Sequence, residues 1–99
     1  MTALSIERTG AGAVRVGGEI AFANAGDAVA RTGELFDGAP VVTVDLGGLS
    51  RADSATLGVA LLWAATAAVR GVKLRFAGVP AGLQALAQLC DAGPLLGIA

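Results

Sequence analysis

The sequence contains no histidine and a single cysteine, Cys90. The missing histidine excludes Ser-His-Asp and Cys-His catalysis, and with only one thiol no usual ligand set for zinc remains. A lone cysteine also excludes a disulfide framework within the chain. Cys90 falls in an apolar helical pattern, which predicts a buried structural thiol rather than a reactive one. Charge is scarce as well: seven basic and eight acidic residues, scattered singly, leave a net charge of −1. With no basic patch or stripe, a nucleic-acid backbone is not an expected partner. Met1 to Thr9 carries Glu7 and Arg8 and lacks an apolar stretch, so no secretory signal is expected. The longest uncharged helical run, Ser54 to Val69, is shorter than the ~20 residues a membrane span needs. These absences predict a soluble, cytoplasmic protein.

What remains is apolar and small. Hydrophobic residues make up 55 % but aromatics only 4 %, so alanine, leucine and valine dominate, beside 15 glycines. Disorder needs the opposite composition. Ninety-nine residues suit one domain over 1–99, with a single core.

Leu4 to Glu7 reads as a short strand and Gly10-Ala11-Gly12 as a hairpin turn. Ala13 to Ile20 alternates, with Val14 and Val16 inward and Arg15 outward, as a half-buried strand does. Gly17-Gly18 suits a bulge or a tight turn rather than a ligand site. Asn24, or the stretch Asn-Ala-Gly-Asp, can cap a helix that runs to about Phe36, with Ala28, Val29, Leu35 and Phe36 as its apolar side, stopped by Gly38 and Pro40. The apolar run Val41 to Leu46 predicts a covered strand ending near Asp45, followed by a short loop holding Gly47-Gly48 and Arg51. Ser54 to Arg70 is the longest helix and is ended by Gly71. Val72 to Ala77 is a strand with Lys73 and Arg75 on its wet face, and Ala81 to Asp91 the last helix. The order ββαβαβα predicts an α/β fold: a mixed four-stranded sheet with helices mainly on one face.

Both faces of the long helix are apolar, although a helix hydrophobic all round is normally buried all round. Ala60, Ala64 and Ala67 allow close approach to a sheet and Trp63 fills the space around them, which places this side in the core. Ser54, Gly58, Leu61, Leu62 and Ala65 then face outward. Such a stripe marks a protein contact, unless the helix from Asn24 to Phe36 lies against it and covers part of it.

Asp53-Ser54 opens this helix. Asp53 reads as an N-cap, worth about 1 kcal/mol. Ser54, at a helix N-terminus that favours negative charge, is a capping residue, a phosphorylation site or the centre of a docking surface. A phosphate there would set up to about two negative charges beside Asp53 and before Leu61. Gly47-Gly48 lacks the Lys-Ser/Thr pair and the G-x-G-x-x-G spacing of phosphate-binding loops, so no nucleotide cofactor is expected. Asp45 and Asp53 show no sign of an acid/base pair, and Arg51 pairs with one of them or with a partner. No catalytic, metal or cofactor constellation is present.

The strand, the stretch DLGGLSRADSATLG, the long helix, VKLRFAGV and LQALAQL together resemble a STAS domain over essentially the whole chain. Gly18-Glu19-Ile20 is similar to that family's G-E-L/I element. Leu49-Ser50-Arg51-Ala52-Asp53-Ser54 is most similar to the MlaB subunits of Mla phospholipid ABC transporters, whose pattern is S-R-x-D-[S/T]. That resemblance implies a non-catalytic subunit bound to the transporter ATPase, peripheral to the inner membrane and serving outer-membrane lipid asymmetry. Arg51, Asp53, Ser54, Gly58, Leu61, Leu62 and Ala65 would then form the partner surface, with Ser54 at the family's hydroxyl position. Asp53-Ser54 is similar too to the phosphosite of anti-sigma-factor antagonists, where Ser54 would be phosphorylated by an anti-sigma kinase. Ala55-Thr56 departs from the glycines of both patterns. A third use, a small-ligand crevice near Gly78-Val79-Pro80, rests on fold analogy alone.

Overall fold

Alternation decides which side of each strand is dry. Val14, Val44 and Phe76 lie in register across three strands and are all buried. The adjoining row Glu7, Arg15, Asp45 and Ala77 lies on the opposite face and is not buried. The computed structural model describes residues 4–96, so the ends of the domain expected over 1–99 lie outside the described residues. The strands are β1 (Ser5–Gly10), β2 (Ala13–Glu19), β3 (Val41–Arg51) and β4 (Lys73–Ala77). They form one sheet in the order β1-β2-β3-β4, with β1 and β2 antiparallel and the other neighbours parallel. Helices α1 (Ala25–Ala30), α2 (Ser54–Val69) and α3 (Ala81–Leu89) cover the dry face. This is the expected mixed α/β sheet. Because β2, β3 and β4 run parallel, their C-terminal ends share one edge of the sheet. The β2–α1, β3–α2 and β4–α3 connections therefore meet there.

Trp63 is fully buried at the centre of α2, and its Nε1 donates to the Ala28 carbonyl at 3.3 Å, locking α2 to α1. Ala60 and Ala67, one turn to either side, are buried beside it, and Ala64 is half-buried. Two helices end in the same way. At α2, Val72 N–H reaches the Ala67 carbonyl at 2.9 Å through Gly71, whose φ is +72°. At α3, Ala92 N–H reaches the Ala87 carbonyl at 2.7 Å through Asp91, φ +54°. Both are Schellman closures.

Several expected boundaries move. β3 does not stop at Asp45 but continues to Arg51, because Gly48 pairs with Gly17 and Arg51 with Glu19. A Cβ at Gly48 would stand 3.0 Å from the Val16 carbonyl, so glycine there permits this close strand approach. Register shifts before Gly17 and after Gly18 confirm the bulge in β2. The first helix does not run to Phe36. It breaks at Arg31 into a 3-10 turn, Thr32–Leu35, where the Thr32 hydroxyl donates to the Val29 carbonyl at 2.6 Å. Val29 is exposed as a result, whereas Ala28 and Leu35 are buried. The Asn24 side chain does not cap α1; it turns back onto the chain before the helix. Cys90 is exposed, not buried, because α3 ends at Leu89 and the turn at Asp91 brings Ala92 into the core instead.

Asp37 fastens the β1–β2 turn to the start of β3. It accepts from Gly12 N–H at 2.8 Å and from Ala39 N–H at 3.1 Å, and stands 3.1 Å from Arg8. The backbone N–H of Gly12, then that of Ala39, and the charge of Arg8 hold its carboxyl below the ordinary carboxylate range. A carboxyl depressed on folding stabilises above its unfolded pKa and loses that contribution as pH falls through its folded value. We therefore expect acid unfolding to steepen below about pH 4. In Asp37→Asn that steepening should shrink, with the two stability curves converging at the lowest pH. Urea midpoints measured from pH 7 to pH 2 test this, and parallel curves would contradict it.

Candidate functional site

The N-terminus of α2 is built from three residues that close on one another. Asp53 is the N-cap, and its Oδ1 accepts from Ala55 N–H at 2.9 Å and Thr56 N–H at 3.3 Å. The Thr56 hydroxyl answers by accepting from Asp53 N–H at 3.0 Å. This reciprocal pair is a capping box with threonine in the return position. The same hydroxyl donates to the Ile20 carbonyl at 2.8 Å, beyond the end of β2. Thr56 is only 1 % exposed, and its bond to Ile20 is made away from water, while those with Asp53 are half-buried. They tie the helix start to the neighbouring connection.

Arg51 projects outward from the last position of β3 and lies 3.7 Å from Glu19, its register partner on β2, rather than beside Asp45 or Asp53. Asp45 instead accepts from Gly47 N–H at 2.8 Å and lies close under Gly78. The aspartates are thus committed to backbone N–H groups, as structural carboxylates are. Among the described residues no group of three or more His, Cys, Asp or Glu is arranged to hold a metal. Nor is any helix among them long and apolar enough to cross a membrane.

The two sides of α2 separate cleanly. Ala55, Thr56, Leu57, Val59, Ala60, Trp63 and Ala67 are buried. Ser54, Gly58, Leu62, Ala65 and Val69 are exposed along the other side. Leu62 is 43 % and Val69 89 % exposed. Helix α1 meets α2 on the Trp63 side and leaves this stripe open. Leu61 is a correction: it lies at the border of the stripe towards Leu57 and is half-buried against the core.

A family model described as "Mlab, STAS domain" matches residues 4–97. The chain belongs to the MlaB-like STAS domain family. A comparison with curated proteins finds no match. STAS domains are generally non-catalytic, and in this STAS domain the polar groups around α2 bond to backbone rather than to one another in an acid/base pair.

Thr56 went unmarked in the sequence although its signal was present: Asp-x-x-Thr at the mouth of a helix is the spacing of a capping box. Its removal tests the knot. Thr56→Val keeps the shape but leaves the buried Ile20 carbonyl without this partner, at about 1–3 kcal/mol, and opens the half-buried Asp53 N–H at a smaller cost. We expect Thr56→Val to lose at least about 2 kcal/mol, roughly 10 °C in Tm for a domain this size, and Thr56→Ser to lose less. Thermal melts check both, and a Thr56→Val protein as stable as its parent would refute the knot.

Proposed function

We propose that this chain is the small STAS subunit of an Mla-type phospholipid ABC transporter. It binds the ATPase subunit and supports that subunit's assembly and activity. Through the complex it serves phospholipid movement between the inner and outer membranes and so the lipid asymmetry of the outer membrane. In this reading the protein is cytoplasmic and reaches the inner membrane only as part of the transporter.

The observation that carries the reading is the open apolar side of α2. Leu62, Ala65 and Val69 continue a stripe that begins at Ser54, on a helix braced by Trp63 and by the Asp53–Thr56 box. Burial of apolar surface contributes about 25 cal/mol per Å². It yields affinity only if little ordering is needed on binding. A helix already fixed on a sheet meets that condition. Gly58, in the first turns of the stripe with open space above its Cα, lets a partner backbone come close. Arg51, Asp53, Ser54, Gly58, Leu62 and Ala65, with Leu61 at the border, form the proposed contact.

One observation favours a second reading, an anti-sigma-factor antagonist. Ser54 is exposed in the first turn of α2, where a kinase could reach it. Phosphate incorporation at Ser54 on incubation with an anti-sigma kinase and ATP would favour that reading over the transporter.

Leu62→Glu separates binding from folding, because Leu62 lies on the exposed side of α2, away from the core. We expect this variant to keep its Tm and to bind the ATPase subunit at least roughly 100-fold more weakly, as loss of a buried apolar contact with burial of a charge predicts. Calorimetric titration with the purified ATPase subunit is the test. Unchanged affinity would contradict the proposal.

A further inference from the structure

The connection from β2 to α1 carries an aromatic side chain that the core does not use. Phe22 is 79 % exposed, whereas Trp63 and Phe76 are buried and Phe36 is covered by the Arg70 guanidinium. An exposed phenylalanine on a mobile loop would mean little, but this one is held. Phe22 sits at the corner of a turn closed by Asn24 N–H on the Ala21 carbonyl at 3.1 Å. The Asn24 side chain clamps the same turn from both sides. Its Oδ1 accepts from Ala21 N–H at 2.7 Å and its Nδ2 donates to the Glu19 carbonyl at 2.7 Å. Ile20, two residues before Phe22, receives the Thr56 hydroxyl from the first turn of α2. The turn that carries Phe22 is therefore tied to the first turn of α2, where the stripe begins.

We propose that Phe22 is an anchor of the partner interface, seated in an apolar socket of the same ATPase subunit that contacts α2. The inference rests on the transporter reading above. A large, rigid side chain presented by a fixed turn supplies contact area with little ordering on binding. The charges at this edge choose a protein over a bilayer as the occupant. Arg51 pairs with Glu19 at 3.7 Å, Arg31 pairs with Glu34 at 2.8 Å and with Asp27 at 3.8 Å, and Asp53 adds a further carboxylate at the start of α2. An aromatic that enters a membrane surface is normally flanked by free lysine or arginine drawn to anionic lipid. Here Arg31 and Arg51 each have a carboxylate partner. The socket on the partner is accordingly apolar.

The test uses the full chain and the Mla-type ATPase subunit of the same organism, with Phe22→Ser, Leu62→Glu and the parent titrated side by side. Phe22 is exposed, so Phe22→Ser should melt with the parent, and its affinity should fall at least tenfold. A benzophenone amino acid at position 22 should crosslink to the ATPase subunit independently of any stability change. If Leu62→Glu loses binding while Phe22→Ser binds like the parent and position 22 gives no crosslink, the anchor is overturned and the transporter reading stands. If the parent itself does not bind, both fall. Phe22→Ser binding like the parent to the ATPase but failing to bind anionic phosphatidylglycerol vesicles that the parent binds would overturn the protein socket in favour of a lipid surface.

Discussion

The hydroxyl of Thr56 accepts from the half-buried Asp53 amide at 3.0 Å and donates to the Ile20 carbonyl at 2.8 Å in the interior. Three parts of the molecule depend on it. It completes the cap of α2 by accepting from the Asp53 N–H, while the Asp53 carboxylate accepts from the first N–H groups of the helix. It holds the segment after β2, which enters the Phe22 turn. It also sets the helix start against the sheet edge where the parallel strands end. A single small side chain thus joins local helix chemistry to the geometry of a surface.

The rest of the architecture explains why that surface stays available. The sheet has one dry face, and α2 lies across it with Trp63 at the centre of contact. One sheet covers only one side of a helix, and α1 and α3 take the flanks. A helix apolar on both sides is therefore left with an unmet face. The opposite face of the sheet, with Arg15, Asp45, Lys73 and Arg75, is polar enough to face water alone. Exposed apolar side chains lie along α2 and at Phe22, with Leu89 at the end of α3 and Val29 and Val41 elsewhere. Schellman closures at both long helices, together with the Asn24 clamp, restrict the backbone on either side of the α2 face. The domain offers its contacts already ordered, which is the condition under which modest apolar area gives useful affinity.

Much of this was legible from residue spacing, and the failures share a cause. Val14-Arg15-Val16 alternates, and Ala60, Trp63 and Ala67 recur at helical spacing, so strand faces and the inward side of α2 could be assigned. The outward positions of Ser54, Gly58, Leu62 and Ala65 followed from the same geometry. What spacing does not carry is a bond between distant segments. Gly47-Gly48 reads as a loop until Gly17-Gly18 is set beside it as a strand partner. Arg51 reads as a partner for the nearer aspartates until the register places Glu19 opposite it. Thr56 reads as filler between Ala55 and Leu57 until Ile20 is found within reach of its hydroxyl. Two other misses were local. Thr32 bonds its hydroxyl to the preceding turn and breaks the first helix, and Asp91 adopts a left-handed conformation that turns Cys90 out.

The central claim is that the start of α2 is ordered before any partner arrives. Amide hydrogen exchange of the free protein at Ala55 and Thr56, the two N–H groups held by Asp53, tests it most directly. The account predicts exchange for both amides as slow as for the central residues of α2 around Trp63, through openings close to global unfolding. Exchange at the rate of an unstructured peptide would mean that the helix start frays in the free protein, and the claim of a preformed surface would be wrong.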